Sequence, residues 1–197
     1  MPQTLSTPAI SLRSRPWREN DALVDVFTLE LGKLSLLVRG ARRPSSKMAA
    51  HLEPLTLLEL MVIEGKGIPT AAAASSRNCY PLLKADYDKI VATGWAIGHL
   101  NRLMAEGEKD EELFHLITDF CALMNEGKAE SAWYQWFAKI FLCFCFEKLG
   151  LGTPFKQIEY APKSLYEAAT HSHSKEDFKI MNRRLDTWLR ASLENAV

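Results

Sequence analysis

At 197 residues, 47% of them hydrophobic, the chain can build one large domain or two small ones around a real core without disulfide staples. Its 24 Lys/Arg balance 24 Asp/Glu, and a formal net charge of zero excludes a global field that would draw the whole molecule to a polyanion. The charge is mildly uneven: residues 1–78 hold 10 Lys/Arg against 7 Asp/Glu, the remainder 14 against 17. Residues 1–8 show neither a positive n-region nor an apolar run, so a secretory leader is not expected. The longest apolar stretch, Phe137 to Phe146, is interrupted by Lys139 and is too short for a hydrocarbon core of about 30 Å. A soluble cytoplasmic protein is the expectation. Cys79, Cys121, Cys143 and Cys145 form no CxxC pair, which points to small apolar filler and away from a zinc ribbon or a redox dithiol.

In chain order, a break at Pro8 is followed by Ile10 and Leu12 alternating with Ser11 and Arg13, a short half-buried strand. Residues 15–21 are expected as an exposed turn. A second strand covers Leu23 to Thr28, and Gly32 suits the reversal into a third, in which Leu34, Leu36 and Val38 share one face. Lys33, Ser35, Leu37 and Arg39 share the other, so Leu37 needs cover. Residues 48–52 fit a short helical turn, Leu55 to Ile63 a fourth strand, and Ile68 to Ala74 a fifth.

From about Asn78 the period becomes helical, with Leu83, Tyr87, Ile90, Val91, Trp95, Ile97, Leu100 and Leu103 as the apolar set. Gly94 and Gly98 interrupt it and imply close packing of another helix. A second helix follows the acidic run 108–112, which suits the positive end of a helix dipole, and stops at Gly127. A third, carrying Trp133, Trp136, Phe137, Ile140, Phe141 and Phe144 opposite Leu142, Cys143, Cys145 and Phe146, is apolar all round and should be the buried centre of the helical part. After the Gly150–Pro154 break, a short helix is expected at 165–169, and a capping-box spacing at Ser174 and Asp177 starts a last one through Leu193. Five short strands and then helices define an α+β chain of two parts, 1–77 and 78–197.

Arg39, Arg42, Arg43 and Lys47 place four cations within nine positions beside Gly40, Ser45 and Ser46. Guanidinium groups fork onto phosphates, and small neighbours let a backbone come close. A solvated basic loop is the plainer reading of such a cluster. The cluster leaves the end of a strand in a small five-strand pattern of the kind that binds oligonucleotides, and Arg13, Arg15 and Arg18 could extend it, with Trp17 as a stacking or a barrel-capping residue. His171 and His173 lack a carboxylate or cysteine partner at a metal-ligand spacing, so a polar linker is the expectation there. There is no GxSxG, P-loop or HExxH, so no catalytic residue is expected, and neither is a cofactor or a metal.

Residues 13–21 (Arg13 through Glu19, Asn20 and Asp21), Phe27 to Leu34 with Gly32 and Lys33, Gly40 to Pro44 with Arg42 and Arg43, and Leu55 to Leu60 resemble, in order and spacing, the start of the RecO family of bacterial recombination mediators. Phe146 to Gly150 with Thr153 and Pro154 is similar to a later segment of that family. The resemblance implies an N-terminal five-stranded OB-fold barrel that binds single- and double-stranded DNA, followed by an α-helical domain. It implies strand annealing, binding to RecR, and contact with the acidic tail of single-stranded DNA-binding protein so that RecA can replace it. By motif position the DNA-binding role falls on Arg39, Arg42, Arg43 and Lys47, then on Lys33 and Arg13. Arg183, Arg184 and Arg190 on the last helix are basic candidates for the tail. Many family members carry a four-cysteine zinc site after the later segment. This chain has Phe155, Lys156 and Gln157 there and no later cysteine, so zinc is not expected. The chain is expected to be a monomer with no membrane partner. The alternative is an OB-fold protein-interaction module that does not bind DNA.

Overall fold

The computed structural model describes residues 3–155, 161–170 and 175–195. These fall into two compact units, 1–80 with 104–114, and 81–103 with 115–197.

The first unit is a closed five-stranded barrel of strands β1 (Gln3–Trp17), β2 (Asp21–Thr28), β3 (Gly32–Val38), β4 (Thr56–Glu64) and β5 (Thr70–Asn78), in the order β1-β2-β3-β5-β4, which is the OB-fold arrangement. β1 is much longer than its local pattern suggests because it serves two neighbours. Its first part pairs with β4 from Gln3 to Ser11, its second with β2 from Ala9 to Trp17, with a bulge between Ser11 and Arg13. Pro8 therefore lies inside the strand instead of breaking it. Its carbonyl accepts the Leu29 N–H, so its imide nitrogen faces the β2 side just beyond the start of that ladder and removes no ladder bond. Arg15, Pro16 and Trp17, expected in a turn, are also strand residues, and the turn shrinks to Arg18–Asn20. β5 starts later and runs longer than its alanines indicate, through Asn78.

The alternation predicted for β3 holds: Leu36 and Val38 are buried with Val24, Val26, Leu58, Leu60 and Val62, and Leu34 packs against them. The 49–52 turn is a 3-10 helix whose Leu52 joins the barrel core, while its carbonyl accepts the Ser11 Oγ hydrogen at 3.0 Å. β3 and β5 share only the Leu37–Thr70 register. Further along β3 the 104–110 segment supplies the neighbouring backbone: Lys33 bridges Glu106, Gly107 N donates to Lys33 O at 2.9 Å, and Lys33 Nζ donates to Met104 O at 3.0 Å.

The second unit contains α1 (Pro81–Ala85), α2 (Tyr87–Leu103), most of α3 (Glu111–Glu126), α4 (Ser131–Lys148), α5 (Leu165–Thr170) and α6 (Lys175–Asn195). Local chemistry sets the helix starts. Asp86 Oδ1 accepts the N–H groups of Asp88 and Lys89, Asp110 Oδ1 accepts that of Leu113, and Asn125 Oδ1 accepts those of Leu82 and Leu83. As predicted, α4 is buried nearly all round. Phe120 stacks on Phe141 with centroids 4.0 Å apart, and Phe146 meets Trp188 edge-on at 5.2 Å. Lys139, the charge inside the apolar run, is satisfied by Asn182 Oδ1 at 2.8 Å and Asp186 Oδ1 at 2.6 Å. The capping box at Ser174 and the pair His171 and His173 lie outside the described residues.

α2 follows expectation at Ile97 and Leu100 and departs from it at Tyr87, Ile90, Val91 and Trp95. Ala92, Thr93, Ala96, Ile97 and Leu100 are buried, whereas Tyr87, Ile90, Val91 and Trp95 are exposed. Small side chains face inward because the bulky aromatics of α4 already fill the core, and a Cβ at Gly94 or Gly98 would meet nothing within 4 Å. Among the described residues no helix packs on those glycines. No helix among the described residues is long and apolar enough to cross a membrane.

The cysteines behave as filler. Cys121, Cys143 and Cys145 are buried and only Cys79 is exposed, and burial pushes the Cys121 thiol up to about 12 and raises that of Cys143. One thiol is therefore expected to react rapidly with an aromatic disulfide reagent at mild alkaline pH in the native protein, and four after denaturation. More than one fast native thiol would contradict this packing.

Candidate nucleic-acid interface

The end of β1 and the end of β3 bring their cations together beside the start of β2. The Arg18–Asn20 turn and the loop leaving β3 are pinned to each other by hydrogen bonds. Asp21 Oδ1 accepts Gly40 N–H at 2.8 Å, and Asn20 O accepts Arg42 N–H at 2.9 Å. The Arg42 guanidinium reaches over the turn, donating to Glu19 O at 3.1 Å and Arg18 O at 3.4 Å. Gly40 permits this path through its φ of +64°. Arg43 N–H closes a tight turn onto Gly40 O. Arg18, itself at φ +54°, Arg39, Arg42, Arg43 and Lys47 are exposed around this junction. Trp17 is 37% exposed and is paired in register with Asp21, the residue that holds the loop. A flat aromatic beside a pinned basic loop is an arrangement on which a base can stack while phosphates meet guanidinium groups.

The six residues singled out from sequence do not form one patch. Arg39, Arg42, Arg43 and Lys47 follow the end of β3, while Lys33 sits at its beginning, about 20 Å along a seven-residue strand. The Lys33 ammonium is directed to Met104 O, beside Glu106. Arg13 is exposed on β1 next to the bulge, in register with Asp25. Asp25 is buried, accepts the Ser35 Oγ hydrogen at 2.7 Å and lies 3.6 Å from the Arg15 guanidinium. Ser35 Oγ is also 3.4 Å from Glu106. The middle of the sheet thus carries carboxylates and partly neutralises Arg15, whereas the rim at residues 39–43 carries exposed cations beside the exposed Glu19 of the turn and Asp21, whose carboxylate is already bound to Gly40. What sequence reasoning missed is the 104–110 segment, distant in the chain and signalled only by its glutamates. In the helical unit Arg183, Arg184 and Arg190 are all exposed on α6, whose buried side holds Met181, Leu185 and Leu189.

Three of the cysteines are buried on helices, and among the described residues no three metal-ligating side chains come together.

The family profile described as recombination protein O, N-terminal, matches residues 1–80. Over these residues the chain is similar to the N-terminal domain of the RecO family. It is 29% identical over 122 residues to the DNA repair protein RecO of Desulforamulus reducens, covering 62% of this chain and 48% of that one. It is 26% identical over 126 residues to the RecO of Geobacter metallireducens, covering 64% and 52%. To the RecO of Desulfitobacterium hafniense it is 32% identical over 108 residues, covering 55% and 40%. The chain spans about half the length of the curated relatives it matches. The aligned part of the RecO pattern includes the turn at Glu19 to Asp21 and the loop at Gly40 to Arg43, the two segments that the hydrogen bonds above join.

Proposed function

We propose that this chain is a RecO-type recombination mediator in DNA repair. It binds single- and double-stranded DNA, anneals complementary strands, and helps RecA replace single-stranded DNA-binding protein, with RecR as a further partner. The observation that carries this reading is the hydrogen-bonded junction of the Arg18–Asn20 turn and the Gly40–Arg43 loop, which holds several exposed guanidinium groups and Trp17 at one rim of an OB barrel. Arg39, Arg43 and Lys47 contact phosphates, Arg42 does so while bracing the turn, and Trp17 stacks on a base. Arg13 extends the surface along β1, and Lys33 contributes more to the 104–110 packing than to DNA. Contacts of this kind supply affinity without sequence preference, and no covalent step is involved. Arg183, Arg184 and Arg190 are the candidates for the acidic tail of single-stranded DNA-binding protein.

A second reading rests on the carboxylates of Asp25 and Glu106 in the middle of the sheet, which disfavour a polyanion there and suit a docked basic peptide. A mobility-shift titration with single- and double-stranded oligonucleotides, with and without single-stranded DNA-binding protein, separates the two. A shift that weakens with salt is expected. Its absence at low salt would leave the peptide-docking reading in place.

A further inference from the structure

The outer face of the β1-β2-β3 sheet changes character from one row of side chains to the next. Val24, Val26, Leu36 and Val38 belong to the barrel core, so the residues that alternate with them point outward. Pairing across the strands sets these in rows: Leu23 with Leu37, Asp25 with Ser35, and Phe27 with Lys33. On β1, Arg15 is in register with Leu23 and Arg13 with Asp25. At the rim Trp17 and Arg39 are exposed, and the apolar row of Leu23 and Leu37 comes next. At the opposite end the row is closed. Phe114 stacks on Phe27 with centroids 6.4 Å apart, and Met104 O accepts from the Lys33 ammonium. Between the open rim and the closed end lies the row of Asp25 and Ser35, which Glu106 extends.

The two carboxylates of that row are not equivalent. Asp25 is buried, and its charge is matched by the Ser35 hydroxyl at 2.7 Å and the Arg15 guanidinium at 3.6 Å. Glu106 is exposed, and its Oε1 lies 3.4 Å from the Ser35 Oγ whose one hydrogen the nearer Asp25 takes. Its position is fixed by backbone, since Gly107 N donates to Lys33 O at 2.9 Å and Glu106 itself bridges Lys33. Ser35 is four residues from Arg39, about 13 Å along the strand, a distance that about four stacked nucleotides span at 3.4 Å each. A single strand held at the rim and continued down the face would therefore set its phosphates against a fixed, exposed carboxylate, and like charges brought together oppose binding. We propose that Glu106 is a footprint determinant: it ends the stretch of single strand that the barrel grips at the rim and the apolar row, and turns the rest off the sheet. The proposal rests on the DNA-binding reading above. A strand gripped over a short stretch keeps its remaining bases free to meet a complement, which is what annealing requires.

Oligothymidylates of about 4 to 16 nucleotides, the range that one OB fold covers, titrated at several salt concentrations by fluorescence anisotropy, test this. The slope of log affinity against log salt counts the phosphates held, at about 0.7 each. For the wild-type chain the slope should stop steepening at about 8 nucleotides, once the rim and the 13 Å above Ser35 are filled. Glu106→Lys should let the strand continue down the face, steepening the slope of the longest strand by about 1.4, two further phosphates, and leaving that of the shortest unchanged. Glu106→Gln should give about half that gain. The backbone bonds of residues 104–110 are untouched by either change, so the fold should be kept. A wild-type slope that steepens all the way to the longest strand would overturn the proposal. So would a Glu106→Lys slope that changes at neither length, or equally at both, as bulk charge alone would do. If Glu106→Lys does not fold, Glu106→Gln decides by the same comparison. Wild-type protein that binds no strand of any length at low salt would instead remove the DNA-binding reading, and this proposal with it.

Discussion

A variant with Arg39→Ala and Arg43→Ala is expected to bind a single-stranded oligonucleotide roughly thirtyfold more weakly, at about 1 kcal/mol for each exposed phosphate contact. The slope of log affinity against log salt should flatten by about 1.4, since each phosphate contact on a single strand contributes about 0.7. Both side chains are exposed, and no hydrogen bond of theirs holds the turn at Arg18–Asn20, so the fold should be unaffected. Arg42→Ala should behave differently, losing affinity together with thermal stability, because its guanidinium also caps the carbonyls of Glu19 and Arg18. Lys33→Ala should change stability more than binding, since its ammonium is held by Met104 O. Fluorescence anisotropy at several salt concentrations makes the measurement. An unchanged slope in the double variant would remove this rim from the DNA surface.

The barrel was legible in the sequence wherever one strand face is buried and the other is not. β2 and β3 show this: a period of two is written into Val24 and Val26 and into Leu36 and Val38. β1 was only half legible, because what lengthens it is a second partner, β4, and pairing between distant strands leaves no local trace. For α2 the periodicity was right only in part. Ile97 and Leu100 enter the core as the repeat implies, but Tyr87, Val91 and Trp95 do not, and Ala92 and Ala96 take the inner face, since α4 brings aromatic volume enough to fill it. A hydrophobic repeat records a face that needs covering and does not say by what. At the candidate site, the basic residues were visible as a cluster, while the pins at Asp21 and Asn20 were visible only as a turn. The division of that cluster, with Lys33 at the far end of β3, required the strand direction and the arrival of residues 104–110.

Gly32 shows how much that distant segment contributes, and Gly32→Ala is expected to destabilise the protein by about 3 kcal/mol. About 1 kcal/mol is the cost of alanine in the left-handed region, where Gly32 sits at φ +65°. The remainder follows from position. A Cβ there would run into the backbone carbonyl of Glu108, and backbone cannot swing aside as a flexible side chain can. The 104–110 segment would have to withdraw, giving up the bonds from Gly107 N to Lys33 O and from Lys33 Nζ to Met104 O, at about 1 kcal/mol each. Gly40 supplies the control. Its φ is +64°, nearly that of Gly32, but a Cβ at Gly40 would meet only the Arg43 side chain, at 3.6 Å. Gly40→Ala should therefore cost only the conformational part, about 1 kcal/mol. Urea denaturation at constant slope reads both changes as shifts of the midpoint, which should be about three times larger at Gly32. Equal shifts would mean that residues 104–110 add nothing to the barrel's stability and that the glycine at 32 serves the β2–β3 turn alone.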